Sequence, residues 1–293
     1  MSWRVTLPCT RAQGESVGAM EAVPGFGEDA PVLVADEPDP DRPDDWLIHA
    51  YFEHRPAADE LAVLAALGNG TPQVEELGKT DWVSMSQAGL QPLRAGRFHV
   101  HTPTHKPDPD AINFEIDAGL AFGTGQHATT SGCLKVLDAL ASNGRRFSNI
   151  ADIGTGTGLL AFAALALWPE AKCIATDIDP VAVEVARDNA AINHVALGHG
   201  AGELLLAAAD GMDSALLAAR SPFDLLIANI LAGPLVELAP AFAAALAPGG
   251  TIILAGLLDS QVQAVIAAYE ASGVSLADRG LGQWPVLVLS APD

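Results

Sequence analysis

Residues 152–158 read Asp-Ile-Gly-Thr-Gly-Thr-Gly, between the apolar run Asn149–Ile153 and a longer one that begins at Leu159. The short run predicts a buried strand and the longer one a helix, so the glycines form the turn that joins them. Glycine lets the backbone turn tightly there and leaves no side chain between the backbone and a ligand. In an open α/β sheet, such strand ends border the ligand crevice where the winding reverses. A second apolar run, Cys173–Thr176, ends at Asp177, nineteen residues past Gly158. A carboxylate at that point can accept both hydroxyl hydrogens of a ribose. A glycine-rich turn and a ribose carboxylate together point to a nucleoside cofactor, without saying which.

Further buried strands are expected at Asp224–Ala228 and Thr251–Ala255, with helices at Leu159–Leu167, Pro180–Ile192, Leu235–Leu246 and Ser260–Ser272. Pro180 suits a first helical turn, and this alternation of strand and helix means a doubly wound α/β sheet. The tail differs. Val274–Arg279 and Val286–Ser290 flank a short Gly280-Leu-Gly282 turn. Strands joined so briefly must be antiparallel, because a parallel return needs a long crossover.

Two more blocks fall near this sheet. Asp117-Ala-Gly-Leu-Ala-Phe122-Gly-Thr-Gly-Gln-His127-Ala-Thr129-Thr130 lacks periodicity and is rich in glycine, as binding loops are. Thr129 or Thr130 is also placed to cap the helix that continues through Leu134–Leu140. Ala228-Asn229-Ile230-Leu231 closes a strand on the same crevice, and an asparagine amide offers both a donor and an acceptor.

Twelve of the twenty prolines precede residue 110, which sets off an N-terminal region. Strands are expected there at Trp3–Thr6 and Leu47–Phe52, and helices at Glu15–Ala22 and Ala57–Leu67. Residues 28–45 carry eight acids and one Arg among four prolines and read as loop around a short strand. The expected organisation is a small α+β domain over 1–80, a connecting segment over 81–110 with a strand at Arg97–His101, and the sheet domain over 111–293.

Composition narrows the partners. Acids outnumber bases 36 to 15, and the excess holds on both sides of residue 110, at 18 against 8 and then 18 against 7. Such a surface opposes binding to nucleic acid and anionic membrane and favours a basic protein partner. Cys9, Cys133 and Cys173 are too far apart in sequence for a zinc knuckle or a disulfide framework, which fits a reducing cytoplasm. The N-terminus lacks the apolar core of a signal peptide, and Leu159–Trp168 is about half a membrane span. His99, His101 and His105 lack an acidic or cysteine partner at ligand spacing, so no metal is expected. Trp3, Trp46 and Trp284 read as core or docking surface.

The loop spacing bears on the cofactor. A pyrophosphate favours G-x-G-x-x-G, whereas this chain has G-x-G-x-G preceded by Asp152 and followed by no Walker lysine. An acid beside the loop suits S-adenosylmethionine, which has a sulfonium and an ammonium but no phosphate. Three readings stand on the residues: a methyltransferase of a protein amine or a small-molecule amine, a nicotinamide-dependent oxidoreductase, and a catalytically idle assembly module on a cofactor fold. The spacing and the terminal hairpin disfavour the second.

Taken together, Ala-Phe-Gly-Thr-Gly-x-His with Thr-Thr, Asp-x-Gly-x-Gly-x-Gly, Asp177-Ile-Asp179-Pro180, Ala-Asn-Ile-Leu and Leu254-Ala-Gly256-Leu-Leu with Gln261 resemble the PrmA family, methyltransferases of ribosomal large-subunit protein eleven. The resemblance covers roughly residues 80–293, with Trp82 and Pro92-Leu-Arg94-x-Gly96 in its connecting segment. Ala128 and Ala118 stand where the family usually has proline. The resemblance implies a seven-stranded methyltransferase sheet and S-adenosyl-L-methionine as cofactor. It implies trimethylation of lysine side-chain and N-terminal amines of a basic ribosomal protein, docked by the N-terminal domain. Thr130, Gly154, Gly156, Asp177 and Asn229 would contact the cofactor, and Asn229 and Phe122 would face the incoming amine. No dedicated general base, nucleic acid, membrane or metal is implied, and a cytoplasmic monomer is expected.

Overall fold

Strands that are apolar on both faces bury themselves only as a central sheet with helices on either side. The computed structural model has that sheet and describes residues 2–18, 26, 31–36, 46–52, 54–77, 92–116, 128–280 and 284–292. The chain divides between residues 86 and 87 into two units.

In the second unit the sheet is built from β8 (Asn149–Ile153), β9 (Lys172–Asp177), β10 (Leu204–Ala208), β11 (Phe223–Asn229), β12 (Leu246–Ala255), β13 (Ser275–Arg279) and β14 (Leu287–Ser290). Its seven strands run in the order β10-β9-β8-β11-β12-β14-β13. β14 lies antiparallel to both β12 and β13, as the short return demands, while the other neighbouring pairs are parallel. Winding reverses at β8, between β9 and β11, so the crevice opens at the carboxyl ends of these strands.

Successive residues alternate between two cores. Ile150, Leu225, Ile227 and Ile253 face α3 (Ala128–Ser142) and α4 (Leu159–Leu167). Ala151, Leu226, Ala228, Ile252 and Leu254 face α7 (Ala232–Ala244) and α8 (Val262–Ala271). α5 (Pro180–Ile192) begins with Pro180 and is capped by Asp179, whose Oδ1 accepts the Val181 N–H at 2.8 Å. α6 (Ala215–Arg220) is capped in the same way by Ser214.

β10 was not among the expected strands. Leu-Leu-Leu-Ala-Ala carries helix-forming residues, and only pairing with β9 from Leu204↔Cys173 to Ala208↔Asp177 makes it a strand. Sheet structure also falls in the stretch expected to connect the domains and just beyond it. β5 (Leu93–Ala95), β6 (Phe98–His101) and β7 (Ile112–Glu115) form a three-stranded sheet within the second unit. Its Phe98, Val100 and Phe114 join the core beneath α3 and α4.

In the first unit, β1 (Ser2–Cys9), α1 (Arg11–Gly18), β2 (Val32–Asp36), β3 (Trp46–Phe52), α2 (Ala58–Ala65) and β4 (Gln73–Leu77) follow one another. The antiparallel order β2-β3-β1-β4 is the ferredoxin-like split βαβ arrangement. α1 begins earlier than the expected Glu15, because Thr10 and Gln13 cap it reciprocally. Residues 19–22 and most of 28–45 lie outside the described residues.

Phe162 of α4 is buried, lies with its ring centroid 6.3 Å from that of Phe114 of β7 at a tilt of 45°, and fills the space above Gly158. Phe162→Ala is expected to cost about 3–5 kcal/mol of unfolding free energy in a urea titration, with the transition still cooperative.

Candidate active site

The loop after β8 is pinned to the neighbouring strand before any ligand is considered. The Gly154 and Thr155 N–H groups donate to the Thr176 carbonyl at 2.8 and 2.9 Å. The Gly156 N–H donates to Asp177 Oδ2 at 2.8 Å, and the Asp179 N–H to Asp177 Oδ1 at 3.1 Å. Asp177 is therefore oriented by two backbone donors, and the remaining lone pairs of its carboxylate are available for ribose hydroxyls.

Gly154 has φ +73°, and a Cβ there would lie 2.2 Å from Ile230 Cγ2. Across the crevice Gly256 has φ +86°, and a Cβ would lie 2.3 Å from the Ile230 carbonyl oxygen. Both glycines thus let the turn after β11 seat between two loops. That turn presents Asn229, whose Nδ2 donates to Thr130 Oγ1 of α3 at 3.2 Å. Thr130 is buried.

Asp152 departs from expectation. It does not face the crevice; it is 1% exposed beneath the loop, where the Thr155 hydroxyl donates to its Oδ2 at 2.7 Å. Its Oδ1 has no hydrogen-bond partner among the described residues. Burial pushes this carboxyl up to about 7; the Thr155 hydroxyl and the Ala161 amide offset part of the rise, and Asp177 adds to it. Burial and Asp152 together raise the thiols of Cys133 and Cys173, which are reduced and buried.

The cavity between these elements has a volume of about 680 Å³, within the usual range for ligand sites. Thr130, Gly154, Gly156, Asp177 and Asn229 all line it. Phe122 and the rest of 117–127 lie outside the described residues. Ile178, Leu231 and Trp284 also line it, and Trp284 was expected in the core or on a docking surface. The tail reading missed Trp284 as a site residue, although its place just after the hairpin glycines was the available signal. The three histidines are used locally: His99 pairs with Asn113, His101 with the Thr102 carbonyl, and His105 with Thr102 and Thr104. Among the described residues no group of three His, Cys, Asp or Glu is placed to hold a metal. None of their helices is long and apolar enough to cross a membrane.

Asp177 is the only charged residue among the described ones that line the cavity. No Lys or Arg among them awaits a phosphate, so the donor set fits a cationic nucleoside and not a pyrophosphate. The cradle at Gly154, the carboxylate of Asp177 and the amide of Asn229 match S-adenosyl-L-methionine in these respects. The fold and the crevice together define a Rossmann-like, S-adenosylmethionine-dependent methyltransferase.

Comparison with known proteins narrows the class. A profile described as ribosomal protein L11 methyltransferase (PrmA) matches residues 12–289. A ribosomal protein L11 methyltransferase of Brucella suis is 48% identical over 222 residues, covering 74% of this chain and 75% of that protein. One from Rhizobium etli is 41% identical over 273 residues, covering 91% and 90%. The crystal structure of a ribosomal protein L11 methylase from Lactobacillus delbrueckii subsp. bulgaricus superposes with a TM-score of 0.56 at 26% identity, covering 67% of this chain and 95% of that one. The chain belongs to the ribosomal protein L11 methyltransferase (PrmA) family.

The folded state holds the Asp152 proton more tightly than the unfolded chain does. Stability therefore falls as pH rises from the ordinary carboxylate range through about 7. Asp152→Asn removes this dependence. Its urea midpoint is expected to gain on the wild type between about pH 5 and pH 8, whereas parallel midpoints would mean that Asp152 is ionised in the folded protein throughout.

Proposed function

We propose that the crevice binds S-adenosyl-L-methionine and that the enzyme transfers its methyl groups to lysine side-chain and N-terminal amines of ribosomal protein L11, up to trimethylation. The observation that carries this reading is the Asn229–Thr130 hydrogen bond in a cavity whose described lining holds no Lys or Arg. In the bound state the sulfonium supplies an electrophilic methyl group. Asp177 and the Gly154–Gly156 backbone hold the nucleoside end, and Thr130 fixes the rotamer of Asn229. With its Nδ2 committed to Thr130, Asn229 has Oδ1 left to accept from the incoming amine and aim its lone pair. Phe122 is assigned beside that amine.

A free lysine is neutral about once in 2,500 molecules at pH 7. An apolar site with amide acceptors favours the neutral form, so the chain needs no dedicated general base. The amine nitrogen forms the new bond to the methyl carbon as the carbon–sulfur bond breaks, and the proton leaves to water. Ile178, Leu231 and Trp284 give the crevice apolar walls beside the reacting groups.

We assign docking of the substrate protein to the ferredoxin-like unit and its attraction to the acidic surface, which has a formal charge of −21. The same charge supports a cytoplasmic enzyme that works without nucleic acid or membrane, and we take it to act as a monomer.

Intact mass spectrometry of ribosomal protein L11 incubated with the enzyme and S-adenosylmethionine tests the reading. Mass gains in methylene steps are expected, slowed at least about 100-fold in Asn229→Ala. Cofactor binding without any mass gain in the wild type would transfer the activity to a different amine.

A further inference from the structure

Asparagine is a poor residue for a helix interior, where its amide competes with the backbone and must find partners if buried. α5 nevertheless carries Asn189 at 1% exposure, and Asn193 caps its end one turn later. Spaced four apart, the two side chains leave the helix on one face.

Their hydrogen bonds form a chain across the fold. Asn189 Nδ2 donates to the Thr157 carbonyl, inside the glycine-rich loop, at 3.1 Å. Asn193 Nδ2 donates to the Asn189 carbonyl at 2.8 Å and to the Glu115 carbonyl at 2.7 Å. Asn193 Oδ1 in turn accepts the Glu115 N–H at 2.8 Å. Asn193 thus pairs with the last residue of β7 as a neighbouring strand would. Through Asn189 the same helix grips the loop that lines the cavity.

We infer that Asn189 and Asn193 are positioning residues that set the glycine-rich loop at a fixed distance from β7 and so hold it in the shape that binds cofactor. The inference rests on the reading of the crevice as the cofactor site. Neither side chain lines the cavity among the described residues, so each acts through the loop and not by touching the ligand. Helix α5 could pack by its apolar residues alone; Ala182, Val183, Ala186 and Ala190 supply that face. The two amides add what apolar packing lacks, a defined register between loop, helix and strand.

Calorimetric titration with S-adenosylhomocysteine, well below the melting temperature, is the test for the wild type, Asn189→Ala and Asn193→Ala. Asn189→Ala is expected to weaken binding about fivefold to tenfold, roughly one hydrogen bond's worth, while kcat at saturating cofactor stays within about twofold. Hydrogen exchange at the Gly156 and Gly158 amides should quicken in the unliganded variant, which a purely structural role for the helix would not cause. Asn193→Ala is expected to weaken binding about threefold, and it decides the matter if Asn189→Ala does not fold. Folded variants that bind as tightly as the wild type would overturn the inference. A wild type that binds no cofactor would instead overturn the reading of the crevice.

Discussion

The crevice depends on one close approach. Ile230 fits between the loops after β8 and β12 only because Gly154 and Gly256 have no side chain, and a Cβ at either position would fall within 2.3 Å of it. Both glycines also have positive φ, which other residues adopt only with strain. With Ile230 seated, Asn229 is delivered to Thr130 across ninety-nine residues of sequence. The backbone of the same glycine-rich loop orients Asp177. Parallel strands, winding reversal and glycine turns thus converge on a few ångströms of free space.

Electrostatics follow from this packing. The loop buries one carboxylate, Asp152, and exposes another, Asp177, to the cavity. Burial drives the first towards neutrality. The first holds the turn through Thr155, and the second accepts the Gly156 N–H of the same loop. Sequence spacing alone does not separate these roles, because both acids close a buried strand.

Much of the sheet was legible because its strands are apolar on both faces and its helices are punctuated by Pro180 and by the glycines at the turns. The antiparallel end followed from the brevity of one turn. β10 was not legible, since Leu and Ala favour helix until β9 offers them a ladder. Nor was β4, whose Gln-Val-Glu-Glu-Leu composition suits an edge strand exposed to water. α1 begins four residues before the expected Glu15 because Thr10 and Gln13 cap it. Gly14 within it is a contact surface, where a Cβ would meet the Trp46 ring at 2.5 Å. At the site, Asn229 and Thr130 were named separately, but their hydrogen bond is a tertiary fact. Trp284 and the inward turn of Asp152 became visible only with the packing.

The central claim is that Asp177 and the glycine-rich loop form a site for a phosphate-free nucleoside cofactor. Titrating S-adenosylmethionine into the wild type and Asp177→Ala, with NAD as the comparison ligand, tests it most directly. The account predicts tight binding to the wild type, a loss of about 10-fold to 100-fold in the variant, and no measurable affinity for NAD. Equal binding by the two proteins, or preference for the dinucleotide, would contradict it.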